Sequence, residues 1–442
     1  MERDKMKIEE AQLTYSDFTG RAVIFKTERE WRFVLWQHAQ YIPCWDINGV
    51  WVTSEWLETA GDSSEGYNFE PMHDKECRFM EVKPLFCNSA LGAVKWHYAL
   101  NNTKYEIYRG NTAADEFYSI FPAGYCVRKL VGYPGDESDF GGQPVFWEVA
   151  ETIMINPKGT MPVDYLSEHV ATYLNLEGDR YDQCWSKTEF RPARDRAYPP
   201  GKFLCIEHPD SRNWQEFIVR VHFENGKDPF LILPNIQSLF PHAPCGACGG
   251  DHPAFSMWPS YPMWSHWPTY DATDFTVLIN ATVEDAMNRA THSSVVSIGA
   301  WYGWLPESKE RWIPERGSTW NFLFGVTDES DEALIELARS WLRPAEIREV
   351  KGAGFVNYDI GQMAYVFEAT AEKVEFTIVP DEVTKNPLFI LRNWAGNSNV
   401  VVKVGDKVIS RDFLRTGLEK KELYIWVEES FHLQSRFIVE RR

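Results

Sequence analysis

The most distinctive segment of the sequence is FSMWPSYPMWSHWPTY, which spans residues 255–270. Aromatic residues occupy every third position, and prolines at 259, 262 and 268 disfavour a helix and favour polyproline II. Polyproline II has three residues per turn, so the aromatic side chains would form one ridge with neighbours roughly 9 Å apart. Such a ridge suits stacking on sugar rings. The alternative is that these aromatic side chains are buried under a sheet as part of the hydrophobic core. The candidate substrate-binding residues of the ridge are Trp258, Tyr261, Trp264, Trp267 and Tyr270.

Imidazole, guanidinium and phenol groups lie in the ridge and elsewhere, and they could move protons. His266 falls within the ridge, and Arg289 and His292 follow it in the segment NRATHSS. An imidazole takes up and releases a proton near neutral pH, and an arginine can neutralise a carboxylate. Two tyrosines, Tyr302 and Tyr41, are candidate proton donors. The pattern predicts a proton-transfer site, and the alternative for each histidine is a hydrogen-bonded structural role.

A third imidazole, His97, lies in the segment KWHYAL, which has the alternating pattern of a strand. Successive side chains of a strand point to opposite faces, so His97 and Tyr98 should not line the same cleft. We take His97 as a catalytic candidate and Arg78, in the segment KECRF, as a weaker candidate for substrate binding. Arg78 reads equally well as a solvated charge.

The segment PHAPCGACGGDHP offers four residues of the types that bind zinc. Its C-x-x-C pair has a histidine on each side, but no second ligand pair stands at the spacing of a standard zinc finger. The glycines in the segment also fit a flexible loop with incidental cysteines. We therefore expect no cofactor, with zinc or calcium as the alternative. The zinc ligands would be His242, Cys245, Cys248 and His252.

Paired carboxylates would support a different reaction, glycoside hydrolysis, which needs two acidic side chains in one cleft. The candidate pairs are Asp115 with Glu116 and Glu148 with Glu151. In a chain with 64 acidic residues, such pairs are common on the surface. No phosphate-binding loop and no nucleophile-elbow motif occurs in the sequence.

The elements that must position these residues are mostly strands. Runs such as RAVIFKT, WRFVLWQ, GAVKWHYAL and FIVRVHF alternate apolar and polar residues and are separated by turn residues. They predict a mainly β protein whose main part is a large antiparallel β-sandwich. One or two short helices are expected, in DESDEALIELARSWLRP and in ATVEDAMNRA. The first would be capped by Asp328 or Ser330 and ended by Pro344.

A domain boundary is predicted near residue 384. The segment after it contains NPLFILRNW, NVVVKVGDKVI, LYIWVEES and SRFIVERR, which are four candidate strands with a GD turn. We therefore expect a large β-sandwich domain over residues 1–384 and a small C-terminal β module over residues 385–442. A module of this size is close to the lower limit for an independent core, so it should lean on the larger domain.

Charge and hydropathy exclude several classes of partner. The net charge of −19 disfavours binding to nucleic acid, which needs a basic face. No segment approaches the roughly 18 apolar residues of a membrane span. The N-terminal segment MERDKMKIEE lacks the apolar core of a signal peptide. We expect a cytoplasmic protein if the chain is complete, and a periplasmic or secreted one if its start has been removed.

Several stretches together carry a family resemblance: YIPCW, EPMHDKECRF, AVKWHYAL, EFYSIFPAGYCVRKL, WSHWP, RATHSS and ARSWLRPAEI. In this order they resemble a poorly characterised family of large bacterial β-sandwich proteins from polysaccharide-degradation systems. The resemblance implies a supersandwich-like architecture, similar to that of polysaccharide lyases and mutarotase-like proteins. The chain departs from the family after Arg78, where it has Glu81 in place of an expected histidine. The site residues that the resemblance carries over are His97, His266, Arg289 and His292.

The combined expectation is a carbohydrate-active protein with a polysaccharide or oligosaccharide partner, and three functions stay open. The first is a polysaccharide lyase that cleaves a uronic-acid-containing glycan by β-elimination. In it Arg289 would neutralise the uronate carboxylate, and His266 or His292 would remove the C5 proton. Tyr302 or Tyr41 would protonate the leaving oxygen. The second is a glycoside hydrolase with a carboxylate pair, and the third is a binding module without chemistry.

Overall fold

The computed structural model describes residues 5–15, 18–37, 43–54, 56–60, 68–74, 76–102, 104–133, 145–160, 164–184, 216–234, 291–302 and 318–442. For residues 18, 59, 60, 68, 145–149, 151, 183, 184, 217, 291–302 and 318 the description covers the backbone alone. This part of the chain is mainly β, with several antiparallel sheets, one α-helix and a C-terminal β region. The predicted fold class is confirmed. No helix among the described residues is long and apolar enough to cross a membrane.

The first sheet has seven strands, and all neighbouring strands in it are antiparallel. The first five strands succeed one another along the chain, because short apolar runs are separated by turns. The order across the sheet is β1 (Lys7–Tyr15), β2 (Phe18–Lys26), β3 (Arg32–Trp36), β4 (Cys44–Ile47), β5 (Val50–Thr53), β12 (Val145–Asn156) and β17 (Thr291–Tyr302).

The second sheet has nine strands, again antiparallel throughout. It is the layer that carries the candidate site. The order across the sheet is β14 (Arg180–Cys184), β13 (Leu166–Leu174), β15 (Phe217–Phe223), β16 (Asp228–Leu233), β18 (Ser318–Thr327), β11 (Tyr125–Tyr133), β10 (Ala113–Ile120), β9 (Gly92–Ala99) and β8 (Met80–Cys87).

The C-terminal region forms two further five-stranded sheets. One has the order β19 (Glu346–Lys351), β22 (Lys373–Val379), β30 (Ser435–Arg441), β25 (Val400–Val404) and β26 (Lys407–Val408). The other has the order β20 (Ala353–Asp359), β21 (Ala364–Ala369), β24 (Leu388–Arg392), β28 (Glu422–Val427) and β27 (Leu414–Glu419). In the second of these sheets β21 and β24 are parallel.

Short elements complete the described chain. The helix α1 spans Asp331–Leu342, and the Ser330 side chain caps it by accepting a hydrogen bond from the backbone N–H of Ala333 at 3.3 Å. Leu334, Leu337, Ala338 and Trp341, whose helical spacing in DESDEALIELARSWLRP predicts this helix, are buried, so the predicted helix is confirmed. The second predicted helix, over residues 281–290, lies outside the described residues. Two-residue strand pairs and 3₁₀ turns lie at β6 (Thr59–Ala60), β7 (Asn68–Phe69), β23 (Thr384–Lys385), β29 (Ser430–Phe431), Pro71–His73 and Tyr108–Gly110.

The nine-stranded sheet is a central layer with apolar cores on both faces. Its inner face packs on the seven-stranded sheet, and Trp45, Trp96 and Phe324 are among the buried residues between them. Its opposite face, which we call the outer face, is covered at one end by α1 and by strands β21, β24 and β28. A third core lies between the two C-terminal sheets. Among the described residues, the C-terminal region therefore covers part of the outer face and leaves the rest uncovered.

Strand pairing crosses the domain boundary that the sequence predicts near residue 384. Strands β19 to β22, which precede that position, share both C-terminal sheets with strands β24 to β30, which follow it. The pairing of β21 with β24 and of β22 with β30 joins the two sides directly. The division into a large and a small domain stays a prediction, and the C-terminal sheets themselves begin at Glu346.

Candidate functional site

An imidazole and a carboxylate face each other on the open part of the outer face. His97 of β9 lies directly opposite Asp115 of β10, and the His97 Nδ1 is 2.8 Å from the Asp115 Oδ1. An ionised carboxylate only accepts hydrogen bonds, so the proton of the neutral imidazole belongs on Nδ1. The Nε2 atom of His97 then carries a lone pair. Nε2 has no hydrogen-bond partner among the described residues, and 43% of the His97 side chain is exposed.

Two further side chains bind the same carboxylate. The Lys95 Nζ lies 2.9 Å from the Asp115 Oδ1, and the Tyr133 hydroxyl donates to Oδ2 at 3.2 Å. Burial alone would raise the pKa of Asp115, but the hydrogen bonds from Lys95 and His97 outweigh it and lower the pKa. Asp115 therefore stays ionised at neutral pH and holds its three partners in place. We call Lys95, His97, Asp115 and Tyr133 the open-face cluster.

A rigid polar layer lies directly beneath the open-face cluster, on the inner side of the same strands. Glu116 receives two hydrogen bonds from Arg128, at 2.7 Å each, and both side chains are 0% exposed. Tyr98 and Tyr118 also donate to Glu116. The Arg128 Nη1 donates to the Ser54 carbonyl oxygen at 2.8 Å. This network ties β9, β10 and β11 together at the positions that carry the open-face cluster.

Two expectations about neighbouring residues can be compared with this arrangement. His97 is partly exposed on the outer face while Tyr98 is buried on the inner face, so their predicted separation is confirmed. Asp115 and Glu116 are likewise on opposite faces of β10, and Glu116 is fully enclosed by its partners. As a hydrolytic pair in one cleft, Asp115 with Glu116 is therefore wrong, because adjacent strand residues cannot line the same surface.

A second imidazole–carboxylate pair occurs on the outer face, at its covered end. The His222 Nδ1 of β15 lies 2.9 Å from the Asp228 Oδ2 of β16. The other ring nitrogen, Nε2, lies 2.8 Å from the buried hydroxyl of Thr172. Thr172 in turn donates to the Asp182 Oδ1 at 2.8 Å, and the ring of His169 stands 4.3 Å from that of His222. Both nitrogens of His222 are therefore already hydrogen-bonded.

Arginines join this second pair to the helix. Arg220 donates to Asp228 at 2.8 Å and to Asp331, the first residue of α1, at 2.9 Å. Arg180 donates to Asp182 at 2.9 Å and to Asp331 at 2.6 Å. We call this set the closed network, defined by Thr172 with His169, His222, Asp182, Asp228, Asp331, Arg180 and Arg220. Its contacts join the nine-stranded sheet to α1, which indicates a structural role.

The remaining predicted site residues are dispersed or lie outside the described part of the chain. Arg78 lies in the turn before β8, where it donates to Glu76 at 2.8 Å and its guanidinium stands 4.2 Å from the ring of Tyr105. The backbones of His292 and Tyr302 lie in β17, opposite Ile155 and Val145. The predicted residues outside the described ranges are Tyr41, His242, Cys245, Cys248, His252, Trp258, Tyr261, Trp264, His266, Trp267, Tyr270 and Arg289.

Sequence reasoning missed Lys95 and Tyr133 of the open-face cluster and every member of the closed network. Lys95 was readable, because it stands two residues before His97 in a strand and so shares its face. Tyr133 and Asp228 were not, because each approaches its partner through the register between strands. The sequence indicates Asp115 as a hydrolytic acid but not as the partner of His97, because that contact depends on the register between β9 and β10.

Metal-binding groups and reactive thiols do not stand out in the described residues. No group of three or more His, Cys, Asp or Glu side chains there is arranged to hold a metal ion. The cysteines described with their side chains, Cys44, Cys77, Cys87 and Cys126, are free thiols. Burial raises the pKa of Cys77 to about 12 and that of Cys87 to about 11. These thiols are therefore protonated and weakly nucleophilic at neutral pH.

Comparisons with known proteins give distant structural similarity only. No family model and no curated protein matches the sequence. A galactose 1-epimerase from Lactobacillus acidophilus NCFM is similar in structure with a TM-score of 0.32 and 8% identity, over 73% of this chain and 99% of that one. An amine oxidase from Aspergillus nidulans has a TM-score of 0.20 and 10% identity, over 73% of this chain and 41% of that one. At such scores neither protein carries an argument about function, which must come from the residues themselves.

Proposed function

We propose that the protein is a carbohydrate-active enzyme, a polysaccharide lyase that cleaves a uronic-acid-containing glycan by β-elimination at the open-face cluster. The observation that carries the proposal is the orientation of His97. Its Nδ1 is fixed by Asp115 at 2.8 Å, which leaves Nε2, on a side chain that is 43% exposed, as the proton acceptor. A base held in one tautomer by a carboxylate is the arrangement that general base catalysis requires.

The proposed reaction uses each member of the cluster for one step. The ammonium of Lys95 pairs with the uronate carboxylate and makes the C5 proton more acidic. The His97 Nε2 removes that proton, the C5–H electron pair forms the C4–C5 double bond, and the C4–O bond breaks. Tyr133 supplies a proton to the leaving oxygen. The products are an unsaturated uronate end and a new reducing end, so atoms and charge balance without an oxidant or a metal.

The protonation states of the cluster support these roles. Burial and the neighbouring Asp115 raise the pKa of Tyr133, so its phenol keeps its proton at neutral pH and can donate it. Tyr133 and His97 bind different oxygens of one carboxylate, so an acid and a base stand on the two sides of Asp115. Of the catalytic residues predicted from the sequence, this scheme uses His97 alone. Lys95 and Tyr133 take the roles that the sequence assigns to Arg289 and to Tyr302 or Tyr41.

The test is digestion of a panel of uronate-containing glycans, read by absorbance near 235 nm and by reducing ends in parallel. We expect both signals to rise with the wild-type protein. In His97→Gln, which keeps a donor toward Asp115 but removes the base, the rate should fall by about 10²- to 10⁴-fold. The matched control is His432→Gln, because His432 is an exposed histidine, 59% accessible, in the C-terminal region.

Each outcome of this test decides between the functions left open by the sequence. Reducing ends without absorbance at 235 nm would indicate hydrolysis and contradict elimination. Binding without any product, unchanged in His97→Gln, would indicate a binding module. Equal activity in His97→Gln and wild type would contradict the role of His97 even if elimination occurs.

A further inference from the structure

A row of lysines crosses the outer face beside the open-face cluster. Strand register places Lys83 opposite Lys95, Lys95 opposite Phe117, and Phe117 opposite Lys129 on four neighbouring strands. We call Lys83, Lys95, Phe117 and Lys129 the lysine row. Strands are about 4.8 Å apart, so the backbone positions of Lys83 and Lys129 are about 14 Å apart. Asn321 of β18 continues the row beyond Lys129.

The charge of this row contrasts with that of the whole protein. The chain carries a net charge of −19, yet no acidic residue stands in the row itself. Lys95 is paired with Asp115, but Lys83 and Lys129 have no ion-pair partner among the described residues. The adjacent row, two residues along the strands, holds Glu81 opposite His97. Glu81 is exposed, and Asp115, on the other side of His97 in the same row, is half-buried and paired with Lys95.

The middle of the row is aromatic. The ring of Phe117 is half-buried on the outer face, and the Lys95 Nζ lies 5.6 Å from its centre. Phe117 stands two positions after Asp115 in β10, so the backbones of these two residues are about 7 Å apart along the strand. An aromatic face flanked by ammonium groups can stack on a sugar ring while the ammoniums bind its neighbours' carboxylates.

We propose that the lysine row is the binding strip for an anionic glycan chain that runs across the strands of the nine-stranded sheet. Phe117 supports one sugar ring, and Lys83 and Lys129 bind the carboxylates of the residues on either side. The loop that contains Gly361 borders the strip, since a Cβ on Gly361 would lie 2.9 Å from the Lys129 side chain. This binding mode presupposes the proposed function, because the bound chain is the substrate of His97.

The test is titration of the protein with uronate oligosaccharides from the panel and with their carboxyl-reduced, neutral forms. Lys83→Gln with Lys129→Gln should raise the Kd for the anionic chains by about three- to tenfold and reduce its dependence on salt. Glu81→Gln should lower the Kd, because it removes an exposed carboxylate from the row beside the bound anion. Lys7→Gln with Lys407→Gln is the matched control, since both lysines are exposed on strands elsewhere.

Binding and cleavage separate the two proposals. Lysine-dependent binding with no product in any digest would support the strip and contradict the lyase. Cleavage that is unaffected by the double lysine substitution would leave the lyase and overturn the strip. Equal affinity for the neutral forms, or no binding of any anionic chain, would also overturn it.

Discussion

Two imidazole–carboxylate pairs on the outer face of one sheet are bonded through Nδ1 with nearly the same geometry but in different surroundings. His97 and Asp115 are 2.8 Å apart in the open-face cluster, and His222 and Asp228 are 2.9 Å apart in the closed network. In the open pair the second ring nitrogen has no hydrogen-bond partner in the described part of the chain. In the closed pair it is bound by Thr172 at 2.8 Å. The availability of that one nitrogen separates a candidate base from a structural bridge.

The location of each pair explains the difference. Asp115 lies in register with Val131 and Thr319, whereas Asp228 lies opposite Thr327, eight positions further along β18. Eight residues correspond to about 26 Å along a strand, so the pairs occupy opposite ends of the sheet. The closed pair lies at the end where α1 packs. Burial there requires every polar group to find a partner, which the arginines and Thr172 supply.

The largest expected effect comes from changing the carboxylate of the open pair. In Asp115→Asn the amide can donate to Nδ1, which would move the proton of the imidazole to Nε2 and block it as a base. The rate of elimination should fall by about 10²- to 10⁴-fold, the scale seen when a catalytic imidazole loses its orienting carboxylate. Steady-state kinetics by absorbance near 235 nm measures this. Asp228→Asn is the control and should leave the rate unchanged, so equal losses would abolish the distinction between the pairs.

The second effect concerns stability, for which the larger loss is expected in the closed pair and the smaller loss in the open pair. Asp228→Ala removes the acceptor of Arg220 and His222 and should lower the free energy of unfolding by about 3 kcal/mol. Asp115→Ala removes a partly exposed acceptor and should cost about 1 kcal/mol or less. Urea denaturation of both variants measures the difference. A larger loss in Asp115→Ala would contradict the structural role given to the closed network.

A smaller effect tests the hydroxyl that closes the second pair. Thr172→Val keeps the shape of the side chain but leaves His222 and Asp182 without their shared partner. The free energy of unfolding should fall by about 1–2 kcal/mol, because the largely buried imidazole of His222 loses a hydrogen-bond partner. The matched control is Thr319→Val, because Thr319 is exposed at the open end of β18 and should change stability by less than about 0.5 kcal/mol.

The smallest effect is a loss of folding stability as the pH falls. Burial alone would raise the pKa of Asp182, but hydrogen bonds from Arg180, Thr172 and His169 lower it to about 2. The ordinary value is about 3.9, so ionised Asp182 stabilises the fold above pH 4, and that contribution is lost as the pH falls toward 2. Asp182 is 40% exposed, so solvent screening keeps the contribution at about 1 kcal/mol or less.

The measurement for this last prediction is thermal unfolding between pH 5 and pH 2. Asp182→Asn should be less stable than wild type at pH 5 and should lose less stability as the pH falls. Asp406→Asn, an exposed loop substitution, is the control. A steeper acid response in Asp182→Asn than in wild type would show the opposite sign and contradict the assignment.

Local patterns in the sequence were sufficient to locate strands and α1. They were not sufficient to show which strands pair or which side chains contact one another. The alternation in KWHYAL separated His97 from Tyr98 correctly, and the same rule would have excluded Asp115 with Glu116 as a pair. The apolar spacing and the Ser330 cap located α1. The boundary near residue 384 was drawn from local strand runs. Such runs do not show that β21 pairs in parallel with β24.

The sequence alone determined that this protein is mainly β, which residues of each strand share a face, and where α1 lies, with Asp328 or Ser330 as its cap. Those properties follow from side-chain periodicity and capping, which act over a few residues. The tertiary structure alone decided that Asp115 orients His97, that Thr172 closes the pair at His222, and that the lysines form one row. These contacts depend on register between strands, which the cores fix only when the sheets pack.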